Sequence, residues 1–498
     1  LIFMVPLRSA LIVEEHGVLP FPEGTACAEV LLAGEEGGEK SKTVFSGLGI
    51  AALYKFIADG LRLFPSEIDW SIKKFGTGFG ADVLPALAGV GYICGKKISS
   101  YMFAGGVIGW FIIIPLINFF GLSSVFAPAS APVSELGAWG IWSSYIRYVG
   151  AGAVAAGGII SLIKSFPTII KTFRKAVQGF GHKEAVEVRT NRDLPMKGLL
   201  ILALVIVVII WLLPAIPVGL LGAIIIVIFG FFFATVSSRM VGLVGSSNNP
   251  VSGMGIATLL IATALLKSTG HTGIAGMTSA ICVGTIICII ASMAGDMSQD
   301  LKTGYIVGAT PKNQQIGELI GCIVSAIAIG GIMYLLDAAW GFGSKELPAP
   351  QATLMKLVVE GVMGGNLPWI LVLAGVGIAL AIEIIGIPVL PVAIGVYLPI
   401  HLSTPIFVGG LLRAFFDRKG DEGKAITERG VLYGSGLIAG EGLVGILLAV
   451  FAVVPTSSGK SLLQAINLGG ILGNAGGLIF FVLLLASIVF FTRNKKNA

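Results

Sequence analysis

Charge is scarce in this sequence. Only 12% of its 498 residues are Asp, Glu, Lys or Arg, about half the roughly 25% of an ordinary soluble domain. That deficit excludes a large soluble enzyme and a disordered chain alike. Paired cysteines are lacking too. The five present (Cys27, Cys94, Cys282, Cys288 and Cys322) are odd in number, scattered and without a CxxC pair, so neither a disulfide framework nor a zinc site is expected. The four histidines, His16, His182, His271 and His401, lie too far apart to nominate a metal cluster, and no cofactor is expected. Enzyme and pump signatures are missing as well. There is no HExxH or GxSxG, and Gly459-Lys460-Ser461 only ends like a phosphate loop, since the required first glycine would fall at Val454. Neither an Arg-rich voltage sensor nor a TVGYG-like filter is present. The net charge of +6 and pI near 9.0 do not signal nucleic acid, because the basic residues sit between apolar segments.

Apolar sequence and glycine are what the chain has in excess. Hydrophobic residues make up 55% and glycines number 70, roughly twice the usual ~7% share of glycine. With a mean hydropathy of +0.93, this is the composition of an all-α, polytopic transmembrane bundle whose helices approach through small residues. Long apolar segments are expected at 43–63, 99–120, 136–163, 198–213, 216–236, 273–294, 314–336, 368–385, 431–454 and 471–491. Shorter ones at 81–94, 255–266, 386–400 and 404–415 predict half-helices, re-entrant segments or broken helices. By length this amounts to about 12 to 13 crossings. The first apolar stretch, Leu1 to Val13, is too short to span, contains Arg8 and follows no initiator Met, so it reads as the end of a helix whose start is missing.

Basic residues set the expected orientation. Loop 164–197 holds eight (Lys164, Lys171, Arg174, Lys175, Lys183, Arg189, Arg192, Lys197), loop 416–430 holds Arg418, Lys419, Lys424 and Arg429, and the tail holds Arg493, Lys495 and Lys496. All three are expected in the cytoplasm. Glycine pairs at small-xxx-small spacing, Gly105/Gly109, Gly317/Gly321, Gly436/Gly440 and Gly473/Gly477, are expected to pack helices. A weak internal repeat is also visible. Pro22 and Pro250 each run to Leu-Leu nine residues on, 43–63 shifted by the same offset of 228 overlays 273–294, and Thr77-Gly78-Phe79 parallels Thr303-Gly304-Tyr305. Such repeats occur in secondary transporters, with sites at the repeat interface.

Polar chemistry enters the apolar sequence at a few places. Ser246-Ser247-Asn248-Asn249 precedes Pro250 and a short apolar stretch containing Ser252. A helix opened by proline after polar caps leaves N–H groups that bind an anionic group such as a carboxylate. Ser403-Thr404-Pro405 repeats that grammar, and Tyr397, Pro399 and His401 precede it. Glu318, Glu383 and Glu441 lie in apolar runs, where a central charge costs roughly 2.5–3.5 kcal/mol and is kept for pairing or function. They are the proton-coupling candidates. Lys55 and Asp59, at i and i+4, are expected to form a structural ion pair.

The stretches Pro20 to Leu31, Ser246 to Met254 and Gly295 to Tyr305, together with Val389 to Phe415 and Leu437 to Glu441, resemble the oligopeptide transporter (OPT) family, its prokaryotic branch above all. The likeness covers essentially the whole chain. It implies one all-helical transporter domain over 1–498 whose N-terminal helices are absent here, seated in a bacterial inner membrane. It also implies a secondary importer of small peptides with protons, and, through its yellow-stripe-like relatives, of metal chelates. No enzyme activity and no nucleic-acid partner are expected. Glu23, Glu29, Asp300 and Lys302 fall in the matching motifs, and with Asn248, Asn249, Ser252, Tyr397, His401 and Thr404 they are the candidate cavity residues. Whether Asp300 and Lys302 gate, bind or cap a loop is left open by the resemblance. A passive channel and an intramembrane enzyme are the readings from other classes.

Overall fold

The structure, a computed structural model, describes the chain apart from residues 1, 18, 20, 34–38, 122, 130, 180–187, 245–250, 345, 365–367, 418–419, 457–459 and 494–498. Helix dominates, with 80% of residues helical and 3% in strands. In chain order the helices are α1 (Val5–Arg8), α2 (Pro22–Ala33), α3 (Glu39–Lys55), α4 (Pro85–Val107), α5 (Ile114–Gly121), α6 (Val133–Ile141) and α7 (Arg147–Gly179). Next come α8 (Met196–Leu212), α9 (Leu220–Val244), α10 (Val251–Ser268), α11 (Gly273–Ile306), α12 (Pro311–Trp340) and α13 (Pro350–Gly364). The series closes with α14 (Trp369–Ile384), α15 (Val389–Tyr397), α16 (Ile400–Asp417), α17 (Gly420–Val453), α18 (Leu462–Ala465) and α19 (Gly473–Arg493). Between α3 and α4, strands β1 (Glu67–Ile72) and β2 (Thr77–Asp82) pair antiparallel, with Glu67 opposite Asp82 and Asp69 opposite Gly80.

Seven helical stretches among the described residues are long and apolar enough to cross a membrane: Pro85–Gly121, Arg189–Leu212, Leu220–Gly242, Gly273–Ile306, Pro311–Trp340, Ile426–Val453 and Gly473–Arg493. The hydropathy reading differs in identifiable places. Segment 81–94 opens with the last two residues of β2 before α4 begins at Pro85, and the expected division from 99–120 is present as a break at Gly95 (φ 77°, ψ 173°) within the stretch Pro85–Gly121. The helix break near 400 falls at Leu398–Pro399, between α15 and α16, and not at Ser403–Pro405. Pro405 instead lies inside α16, where its ring removes the donor that would have met the His401 carbonyl one turn back. Among the described residues four π-helical segments, Ser9–Glu14, Phe56–Gly60, Ile108–Ile113 and Trp142–Ile146, continue or join α-helices; such insertions often accompany functional sites. The third leg of the repeat fails, since Thr77 to Phe79 is strand and Thr303 to Tyr305 is helix.

Two compact units emerge. One comprises Leu1–Gly37, Gly157–Gly330 and Gln351–Leu367, the other Gly38–Ala156, Gly331–Pro350 and Pro368–Ala498. In the first, α9, α10 and α11 enclose a core that includes Ile225, Phe233, Met254, Val283 and Ile287, while Met4, Leu7, Leu11, Phe21, Met297 and Leu301 close a second cluster around α1 and α11. In the second unit α3, α17 and α19 bury Tyr54, Phe64, Tyr433, Leu437 and Phe481. A further cluster joins Trp110, Ile114, Tyr145, Ile146 and Val396. Backbones come close where glycine permits it. A methyl group at Gly436 or Gly440 would run into the carbonyl oxygens of Val44 and Leu48, and one at Gly105 into that of Val392. Gly317 and Gly321 have nothing within 4 Å of such a methyl, so that pair packs no helix among the described residues.

Candidate functional site

In the second unit, charge gathers where α3, the hairpin, α4 and α17 meet. Lys55, the last residue of α3, pairs with Asp59 at 2.6 Å in the π-helical turn that follows, as the i,i+4 spacing implies. It also reaches Glu441 Oε1 of α17 at 3.5 Å. The other oxygen of Glu441 accepts the Ala86 N–H at 2.6 Å. That N–H belongs to the first turn of α4, whose donors have no partner within the helix, so a carboxylate from another helix caps it and meets its dipole. Glu441 is 13% exposed and Lys55 15%. Asp82 ends β2 just before α4, across the hairpin from Glu67. Burial pushes the Asp82 carboxyl up to about 7, and the charges of Glu67 and Asp59 push the same way. Glu441 thus has partners that its local sequence did not show, because Lys55 lies 386 positions away.

A second group surrounds His401. Its imidazole is 1% exposed, with Nε2 at 3.2 Å from Asp69 Oδ1 of β1. The ring lies 5.3 Å from Trp110 and 4.7 Å from Trp139, and the Trp139 indole N–H donates to Asp69 Oδ2 at 3.4 Å. Asn474 donates to the Asp69 carbonyl at 3.2 Å, and the Thr77 hydroxyl donates to the carbonyl of Trp110, within a π-helical segment, at 2.5 Å. Glycine at 80 makes the approach possible, since a methyl group there would overlap the imidazole. The Asp69 side chain keeps 42% of its surface exposed. Asp69 and Trp139 were not flagged by the sequence, where one lies in a polar connection and the other in a glycine-rich run. Tyr397, 3% exposed, donates to the Pro350 carbonyl at 2.9 Å. Thr404 turns its hydroxyl back to Ile400 at 2.9 Å, so it presents no free donor to a solute.

In the first unit the Pro20 and Gly295 motifs come together. Gln299 of α11 donates to Glu23 Oε2 at 2.5 Å and accepts the Gly24 N–H at 2.7 Å, and Thr303 donates to the Gly24 carbonyl at 2.8 Å. Gln299 joins the candidate residues that sequence reasoning passed over, although it lay inside the quoted motif. Lys302 is 1% exposed. Its ammonium lies 2.8 Å from His16 Nδ1, donates to the Leu19 carbonyl at 3.2 Å and sits 5.4 Å from the Phe21 ring centroid. It therefore clasps the chain before α2 to α11. Phe21 itself has φ 45°, a left-handed conformation that costs a bulky residue on the order of 1–3 kcal/mol and recurs at functional sites. Asp300 is exposed and accepts from Gln314 at 2.9 Å, and the half-buried Glu318 faces it from α12. Glu383 lies one residue before the end of α14, a helix terminus and not a mid-span position. Glu29 and Ser252 lie on α2 and α10, and Asn248 and Asn249 lie outside the described residues.

Seven crossing-length helical stretches among the described residues define a polytopic membrane protein. Comparison with known proteins names the group. The sequence profile of the OPT oligopeptide transporter protein family matches residues 1–452, and the chain belongs to that family. A Haemophilus influenzae protein assigned by name as an oligopeptide transporter is 31% identical over 97% of this chain and 84% of its own length. Two rice proteins (Oryza sativa subsp. japonica) named as probable metal-nicotianamine transporters are 24% and 25% identical over 91% and 95% of this chain, covering 69% and 72% of their own lengths.

Proposed function

We propose that the chain imports a small peptide or peptide-like solute together with protons, by alternating access. The observation that carries this reading is the group formed by Lys55, Asp59, Glu441 and Asp82. One ammonium stands among more carboxylates than it can neutralise, on α3 and the π-helical turn after it, α17 and the hairpin, so at least one carboxylate gains by holding a proton. Glu441 is the coupling residue. Protonation weakens both its pull on Lys55 and its cap on α4, which ties proton binding to the packing of α17 against α3 and α4. A proton moving down 100 mV supplies about 2.3 kcal/mol, enough for roughly 50-fold accumulation. Asp69, half-exposed beside His401 and Trp139, offers a carboxylate and ring face to the solute's ammonium group.

The test is transport in proteoliposomes. Glu441→Gln is expected to cut uptake driven by a pH gradient at least tenfold while sparing solute counterflow. If both rates match the parent, Glu441 has no part in coupling. The rice relatives named for metal-nicotianamine favour a second reading, import of a metal chelate, whose carboxylates and amines present chemistry close to a peptide's. Uptake of a labelled dipeptide and of a labelled iron–chelate complex, measured side by side, separates the two, since only the true solute accumulates.

A further inference from the structure

The break in α4 sits beside an arginine that completes it. At Gly95 the backbone leaves the helix (φ 77°, ψ 173°), so the turn before it loses the donors for its last carbonyls. Arg413 of α16 replaces them, donating Nη1 to Ile93 O at 2.6 Å and to Tyr92 O at 3.3 Å. Ser99 donates its hydroxyl to Gly95 O at 2.9 Å. Acceptors at the break are thereby satisfied, while the helix that restarts at Lys96 presents the positive end of its dipole.

A cavity of about 600 Å³ opens at this point, lined among others by Lys96, Lys97, Ser100, Tyr101, Arg413 and Asp417. Three cations face one carboxylate. Asp417 lies 3.6 Å from Arg413 Nε and accepts the Thr427 hydroxyl at 2.8 Å, so it is already engaged. Among the described ion pairs neither Lys96 nor Lys97 has a carboxylate, and both are exposed. Cations held together without counter-ions repel one another, and an oxyanion entering between them relieves that repulsion. The hydroxyls of Ser100 and Tyr101 add neutral donors.

We propose that this cavity binds a phosphate group, that of an acidic phospholipid. α4 is part of a crossing-length stretch, and α16 ends at Asp417, inside segment 416–430 with its four basic residues, the side at which the charge rule places the cytoplasmic leaflet. Basic pockets between helices on that face hold anionic headgroups. Free phosphate shares the same chemistry and is the alternative source.

The purified full-length chain, in detergent with equimolar phosphatidylglycerol and phosphatidylcholine, is examined by native mass spectrometry. Phosphatidylglycerol adducts are expected to dominate. The K96Q/K97Q double variant is expected to lose affinity for that lipid roughly 30-fold, since each basic residue at such a surface is worth about 1 kcal/mol. Both lysines are exposed, and a size-exclusion profile matching the parent's confirms that the variant folds. In a second arm, a rise in Tm with inorganic phosphate over chloride at equal ionic strength, present in the parent and absent in the variant, without lipid preference, assigns the site to soluble phosphate. Equal retention of both lipids with no phosphate effect overturns the proposal, as does a lipid preference that the double variant keeps.

Discussion

Asp82 lies in the hairpin, outside the crossing-length helices, where Glu67, Asp59, Glu441 and Lys55 all act on it. Burial is the largest influence and the neighbouring carboxylates add to it, raising its pKa to about 7 from an ordinary value of roughly 3.9. The folded chain therefore keeps a proton that the unfolded chain has released between about pH 4 and pH 7. Stability contributed by this group is present below that window, falls as pH rises through it and is gone above about pH 7. Asp82→Asn mimics the protonated form, so the drop in Tm between about pH 5 and pH 8 should shrink in the variant; an undiminished drop would assign it to other groups. At this scale the sequence was informative about cost and silent about partners. Glu441 stood out because a carboxylate in an apolar run is expensive, whereas Asp82 and Glu67 sit in a polar connection where acids are ordinary. Their significance comes from the fold that carries them to Lys55 and Glu441.

Helix pairs show the same division. Spacing alone nominated four glycine pairs, and the structure sorts them by what faces each one. Gly436 and Gly440 bring α17 against α3 so closely that a methyl group would meet the carbonyls of Val44 and Leu48. Gly317 and Gly321 have open space there. Identical spacing should therefore give opposite outcomes. Gly440→Ala should destabilise by roughly 1–3 kcal/mol through overpacking, while Gly317→Ala should stabilise by roughly 0.5–1 kcal/mol, because alanine loses less backbone freedom in a helix. Thermal unfolding of the two variants in one detergent checks both signs. A fall in Tm for Gly317→Ala would show that α12 packs against a partner through this face. Breaks are legible to a similar degree. Proline marked the region around 399–405, but the choice between Pro399 and Pro405 depends on which proline falls before the first turn, and periodicity does not reveal that. The break at Gly95 carries no proline at all and needs Arg413 from a distant helix to satisfy it.

For the whole molecule, the class was legible. Apolar length fixes a bundle, because only helices satisfy their backbone inside a bilayer without closing a barrel. Hydropathy did separate 81–94 from 99–120, and α4 breaks between them at Gly95, but it could not see that Glu67–Asp82 pairs as a hairpin around Gly76, since that turn lacks the usual two-residue signature. Yet orientation within the second unit can be argued from elements now in place. The basic segment 416–430, expected as a loop, is mostly the start of α17 (Gly420–Val453), the crossing stretch Ile426–Val453 within it leads to the short α18, and Gly473–Arg493 crosses once more before the basic tail. Two crossings return the chain to its starting side, and both ends carry the lysines and arginines that favour the cytoplasm. Alkaline phosphatase fused after Ser461 should then be active in the periplasm, and fused after Ala498 inactive. Equal activity at both junctions would mean that one of the two stretches does not span, and the charge rule would lose its footing in this unit.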